Sequence, residues 1–177
     1  MSQETIPSNS DNDRTVKSNF VWLWLTAVII LLDQISKYLV KSSIDYGEII
    51  KVTPKLFWLT HIRNTGAAFS LSLGDATLNK AVFIAVSSLA SLLLIFLIKK
   101  AVRKMEVIAY ALILGGAIGN LIDRIFFGAV TDFLWLDFPD FIMHRWPVFN
   151  LADSSIVIAI VILVLYTLFW EKKKGEE

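Results

Sequence analysis

Residues 81–98 read AVFIAVSSLASLLLIFLI, eighteen positions without a charged side chain, closed by Lys99 and Lys100. At ~1.5 Å per residue, a helix of this length matches a hydrocarbon core of about 30 Å. Three further apolar stretches accompany it. Residues 20–40 open with thirteen uncharged positions and then carry Asp33, Gln34, Ser36 and Lys37. Residues 107–127 are apolar until Asn120, Asp123 and Arg124, and residues 152–170 are apolar after Asp153, Ser154 and Ser155. The composition of the 177-residue chain agrees, with 55% hydrophobic residues, 19% charged residues and a mean hydropathy of +0.61. Soluble domains carry about a quarter charged residues. The fold expected is an all-α membrane protein with four transmembrane helices.

The same counts exclude several kinds of chemistry. A net charge of +1 leaves no electrostatic footprint for nucleic acid. The absence of cysteine removes disulfides, thiolate metal sites, Fe–S clusters and a thiol nucleophile. His61 and His144 stand 83 positions apart, so no HExxH helix exists and both are expected in loops. No metal and no cofactor is expected; carboxylates, hydroxyls, lysine or backbone must carry any reaction.

Residues 1–19 are rich in Ser, Asn, Asp and Thr, lack apolar periodicity and read as a disordered tail. The first span is expected to remain as a helix, because DQISKY after Leu32 offers no small-x-small cleavage site. Short basic flanks set the orientation. Arg14 and Lys17 precede the first span, Lys99, Lys100, Arg103 and Lys104 fill 99–106, and Lys172, Lys173 and Lys174 end the chain. Both tails, including 171–177, and the 99–106 connection are therefore expected in the cytoplasm. Connections 41–80 and 128–151 then face outward, although 41–80 holds five basic residues against the single Arg145 of 128–151. Residues 49–63 (IIKVTPKLFWLTHIR) hold two extended runs about Pro54, which predicts short strands, and Asn64-Thr65-Gly66 predicts a turn. The aromatic-rich 128–151 connection suits the headgroup level.

This orientation gathers polar residues from three spans at one depth: Asp33 and Lys37, then Asn120, Asp123 and Arg124, then Asn150 and Asp153, with Asp132 just beyond the third span. Each ionisable group in a span costs ~2.5–3.5 kcal/mol on insertion scales, and such groups line a pathway or a site. The spacing of Asp33 and Lys37 at i,i+4 predicts a structural ion pair. Asp123 and Arg124 point in different directions and are open to either a scaffold or a site role. Asp132 in AVTDFLW is flanked by apolar residues that raise a carboxyl pKa. Asp153 follows a candidate N-cap, Asn150, by three positions, where the helix dipole favours a carboxylate. Two acids in such different environments match the needs of acid–base catalysis by paired carboxylates. The small residues Gly115, Gly116, Ala117 and Gly119 predict a close helix-packing face. Ser36 and Lys37 are adjacent on a helix and diverge, which disfavours a Ser–Lys nucleophile.

Five short strings in order, DQISK at 33–37, NTGAAFS at 64–70, GGAIGNLIDR at 115–124, GAVTDF at 128–133 and FNLADS at 149–154, resemble the lipoprotein signal peptidases (signal peptidase II). The presenilin-like GxGD signature is absent, Gly74-Asp75 standing in SLGD instead. The resemblance covers nearly all of residues 20–170 and leaves the tail at 1–19 without a counterpart. It implies an aspartyl peptidase that cuts diacylglyceryl-prolipoproteins before the lipidated cysteine, in a bacterial inner membrane, beside membrane lipid and sensitive to globomycin. It implies catalytic Asp132 and Asp153, selecting Asp132 over Asp123. It further implies substrate-contacting or site-shaping roles for Asn64, Asn120, Arg124 and Asn150, and supporting roles for Asp33, Lys37 and Asp123. The implied fold adds a small extracytoplasmic β-structure and a mobile capping loop to the four helices of a monomer. A small proton- or ion-coupled transporter is the rival reading, and a non-catalytic assembly subunit a second. The transporter would need polar groups in the cytoplasmic half, which has almost none.

Overall fold

The computed structural model describes residues 19–53, 56–66, 76–136 and 146–175. Residues 1–18 of the expected tail, residues 54–55 and 67–75 of the first outer connection, and His144 lie outside the described residues. Four helices, α1 (Leu23–Ser43), α2 (Ala76–Lys100), α3 (Lys104–Phe127) and α4 (Leu151–Gly175), are long and apolar enough to cross a membrane. Three strands, β1 (Ile49–Lys51), β2 (Phe57–Asn64) and β3 (Val130–Leu136), form an antiparallel sheet in that order.

Helices α2 and α3 begin several residues before their charge-free runs, because Asn79, Lys80, Lys104 and Glu106 extend them toward water. Asn19 is not part of a free tail. It is buried, and its Nδ2 donates to the carbonyls of Ile98 (3.1 Å) and Ala101 (2.7 Å), which the end of α2 leaves without helical partners.

Helix α3 is the hub and packs against each of the other three. Its contact face includes Ala109, Ala111, Gly115, Gly116 and Gly119, small residues that let backbones approach. A Cβ added at Gly115 would lie 2.8 Å from Ile29 Cβ, and one at Gly119 would lie 2.6 Å from Asp33 Oδ2. One at Gly116 would strike the carbonyl oxygen of Ala152. By contrast α2 and α4 expose Leu89, Leu92, Val157 and Leu168, the surface that acyl chains would cover.

The sheet grows from the end of α3. Gly128 takes the left-handed conformation (φ 75°), which a side chain would disfavour, and its N–H caps the Arg124 carbonyl at 3.2 Å. The chain then turns into β3. Strand β2 pairs with β3 with Asn64 opposite Val130 and Ile62 opposite Asp132, and a register shift between Leu59 and Ile62. Beyond it, Phe149 bonds Leu134 in both directions (2.7 and 2.9 Å), which brings the chain back to start α4 beside β3. The C-terminal halves of α1 and α3, the start of α4 and the sheet thus share one end of the bundle.

Gly116→Val is expected to lower the thermal unfolding midpoint in detergent markedly, since over-packing costs about 1–3 kcal/mol even where neighbours can yield. Leu92→Ala, on a side chain 65% exposed, is expected to change the midpoint little.

Candidate active site

The sequence Asn150-Leu151-Ala152-Asp153 builds its own helix start. Asp153 N–H donates to Asn150 Oδ1 at 2.9 Å, and Asn150 N–H donates back to Asp153 Oδ2 at 3.2 Å. This reciprocal pair satisfies two N–H groups that the first turn leaves free. It also fixes the Asp153 carboxylate at the positive end of α4. Its other oxygen, Oδ1, accepts from Asn120 Nδ2 at 2.8 Å.

Asn120 is held in one orientation by a cation. Lys37 Nζ donates to Asn120 Oδ1 at 2.9 Å, so the amide must turn its NH₂ toward Asp153. Asn150 Nδ2 also donates to Asn120 Oδ1 (3.1 Å) and, more closely, to Asp132 Oδ1 (2.7 Å). The second oxygen of Asp132 accepts from Asn64 Nδ2 at 3.0 Å. Asn64 is set by an Asx turn in which Gly66 N–H donates to its Oδ1 at 3.0 Å. Asn150 therefore touches both acids, Asp132 through its side chain and Asp153 through its backbone.

Asp132 stands in β3 at 3% exposure. Burial pushes its carboxyl up to about 6, and the nearby Asp153 carboxylate adds to the rise, against the Asn64 and Asn150 amides and the Lys37 charge. Such a group holds or releases a proton near neutrality, as acid–base chemistry requires.

Beneath the two acids lies a buried ionic cluster. Lys37 Nζ lies 2.8 Å from Asp33 Oδ2 and 3.5 Å from Asp123 Oδ2, with all three side chains fully buried. The remaining acceptor positions hold other elements in place. Asp33 Oδ1 accepts the Ala152 N–H at 3.0 Å, and Asp123 Oδ2 accepts the Thr131 N–H at 2.8 Å. Arg124 lies beside the group without bonding either acid. Its Nη1 donates to the Asn120 carbonyl at 3.4 Å, and its guanidinium lies 5.4 Å from the Phe83 ring centre.

Every residue singled out from the sequence for the site is at this end of the bundle, and Arg124 joins the hydrogen-bonded network only through the Asn120 backbone carbonyl. Several contributors were given no site role from the sequence. Thr131 and Ala152 act through backbone N–H groups, and Gln34 donates to Asp33 Oδ2 (3.1 Å) and the Gly119 carbonyl (3.1 Å). Lys41 lies 3.7 Å from Asp123 Oδ1 and 3.7 Å from the Phe127 ring centre. His61 lies within β2 rather than in a loop, with Nδ1 3.0 Å from the Ile44 carbonyl oxygen.

A family model described as Signal peptidase (SPase) II matches residues 25–169. The chain belongs to the signal peptidase II family. A lipoprotein signal peptidase of Psychromonas ingrahamii is 44% identical over 89% of this chain and 90% of its own length. One from Serratia marcescens is 42% identical over 88% of this chain and 89% of its own length. Among solved structures, a bacterial membrane enzyme determined by the in meso method at 2.3 Å resolution superposes with a TM-score of 0.75. It is 28% identical, with 89% of this chain and 93% of that chain covered. Membership makes this chain a multi-pass bacterial membrane protein and a protease of the signal peptidase class.

The Asp132 carboxyl imposes a pH dependence on stability. Its folded-state pKa lies above the ordinary 3.8, so its favourable contribution is complete below 3.8 and lost as pH rises through about 6. A rise of that size corresponds to about 3 kcal/mol. Asp132→Asn removes the penalty. The thermal midpoint of the wild type is expected to fall relative to that variant across this interval, and a constant difference between the two proteins would contradict the reading.

Proposed function

We propose that this chain is an aspartyl endopeptidase that removes signal peptides from diacylglyceryl-modified prolipoproteins, cleaving before the lipidated cysteine. The observation that carries the proposal is Asn150, one residue whose side chain holds Asp132 and whose backbone holds Asp153. Such a bridge ties both carboxyl groups to one residue, which supports their acting together on a single water molecule.

In the proposed reaction, Asp153 is the base, at the helix end that favours negative charge. It takes a proton as water attacks the scissile carbonyl carbon, while protonated Asp132 donates to the carbonyl oxygen. Collapse of the resulting gem-diol breaks the C–N bond. Asp153 passes its proton to the departing cysteine nitrogen, and a gem-diol hydroxyl returns one to Asp132. The pair titrates as a unit. Asn64, Asn120 and Asn150 hold the acids, and Arg124, which bonds neither acid, stabilises charge on the carbonyl oxygen. Asp33, Lys37 and Asp123 act as support.

Placing the site end at the outer face of the membrane follows from the basic flanks at the opposite end, Lys99, Lys100, Arg103 and Lys104. Both termini then lie in the cytoplasm. The substrate's acyl chains can stay in the bilayer while its peptide bond meets water, and an inhibitor of the globomycin type would occupy the same cleft. One chain supplies every group named, which supports action as a monomer. A transporter would carry ionisable groups through both halves of the bundle. Among the described residues the buried charged side chains, Asp33, Lys37, Asp123 and Asp132, all lie at the sheet end.

The test is cleavage of a reporter prolipoprotein carrying a diacylglyceryl cysteine. Asp132→Asn and Asp153→Asn are each expected to reduce the rate by about 10²–10⁴-fold or more while the protein stays folded, with Glu48→Gln near wild type. Retained cleavage by either folded aspartate variant would overturn the dyad.

A further inference from the structure

The first outer connection, 41–80, carries five basic residues, more than the positive-inside rule places on that side. Three of them meet at one spot. Lys41, on α1, puts its ammonium 3.7 Å from the ring centre of Phe127. Arg63, on β2, donates from Nη2 to the Phe127 carbonyl at 2.8 Å. Lys80, on α2, has its Nζ 4.0 Å from the position a Cβ would take at Gly128. Cations from three separate elements thus ring the last turn of α3.

Carbonyl groups at a helix C-terminus attract one cation readily, but their partial negative charge does not balance three. Lys41 shares Asp123 at 3.7 Å with Lys37. Among the described residues Arg63 and Lys80 take part in no ion pair. Both side chains are exposed. Arg63 spends one of its five N–H groups on Phe127 and keeps the others for a ligand.

The same last turn of α3 exposes apolar side chains. Ile125, Phe126 and Phe127 are 47%, 74% and 50% exposed at the end of a membrane-spanning helix. A molecule that satisfies both layers has acyl chains to lie along these side chains and a negative group to lie among Arg63, Lys80 and Lys41. The geometry points to a binding site for an anionic phospholipid, with its phosphate among those three cations at the α3 C-terminus, in the leaflet on the sheet side. The lipidated substrate does not fit as occupant, since diacylglycerol has no phosphate to offer. The site does not depend on the peptidase reading, and none of the three cations bonds Asp132 or Asp153.

The full-length protein in detergent, offered equal amounts of phosphatidylglycerol and phosphatidylcholine with identical acyl chains, gives the test by native mass spectrometry. The wild type is expected to retain phosphatidylglycerol preferentially. Each cation near a membrane surface contributes about 1 kcal/mol, so Arg63→Gln and Lys80→Gln should each lower that preference about fivefold, and the double variant more. Lys51→Gln, whose ammonium lies over Trp58 on the sheet, should leave it unchanged. Lys80→Gln alone carries the test if loss of the Arg63 bond to Phe127 prevents folding. An unchanged preference in Lys80→Gln, or a loss confined to Lys99→Gln/Lys100→Gln at the opposite end, would overturn the site. Stabilisation by inorganic phosphate equal to that by phosphatidylglycerol would overturn its assignment to a lipid.

Discussion

A single ammonium group inside the bundle sets most of this architecture. Lys37 is fully buried, and removing one partner of a buried ion pair costs about 3–5 kcal/mol. Its partners are Asp33 at 2.8 Å, Asp123 at 3.5 Å and the side-chain Oδ1 of Asn120 at 2.9 Å. Each partner then reaches a different part of the chain. Asp33 takes the Ala152 N–H of α4, Asp123 takes the Thr131 N–H of β3, and Asn120 turns its NH₂ to Asp153. Neutralising one charge from α1 therefore fixes α4, β3 and Asp153 relative to α3.

The close packing of α3 is the other half of the same constraint. Lys37 and Asp33 can reach Asn120 and Ala152 only because Gly116 and Gly119 let α1 and α4 lie against the α3 backbone. Side chains there would strike Ala152 and Asp33. The buried polar cluster and the glycine face are thus parts of one arrangement, in which apolar packing brings the helices close enough for the ionic contacts to form.

The helices were legible because apolar runs bounded by basic residues leave few alternatives, and the i,i+4 spacing of Asp33 and Lys37 announced their contact. Strand β3 was not legible. Its segment, VTDFLWL, carries a carboxylate at its third position, and burial of its first four residues in a row hides the alternation expected of a strand. Choosing Asp132 over Asp123 needed the family resemblance. In the structure Asp123 is engaged by Lys37, Lys41 and the Thr131 N–H. Spacing alone identified Asn150 as a helix cap. That its side-chain NH₂ also reaches across to another acid depends on β3 lying beside α4, a long-range fact that no local pattern contains.

The central claim is that side-chain amides hold the two aspartates as one proton-sharing unit, and asparagine side-chain NMR tests it most directly. In protein labelled with ¹⁵N-asparagine in detergent micelles, the NH₂ signals of Asn64 and Asn150 should move together as Asp132 titrates, with a midpoint of about 6. Both movements should vanish in Asp132→Asn. Signals that stay fixed across that transition, or that move equally in the variant, would contradict the account.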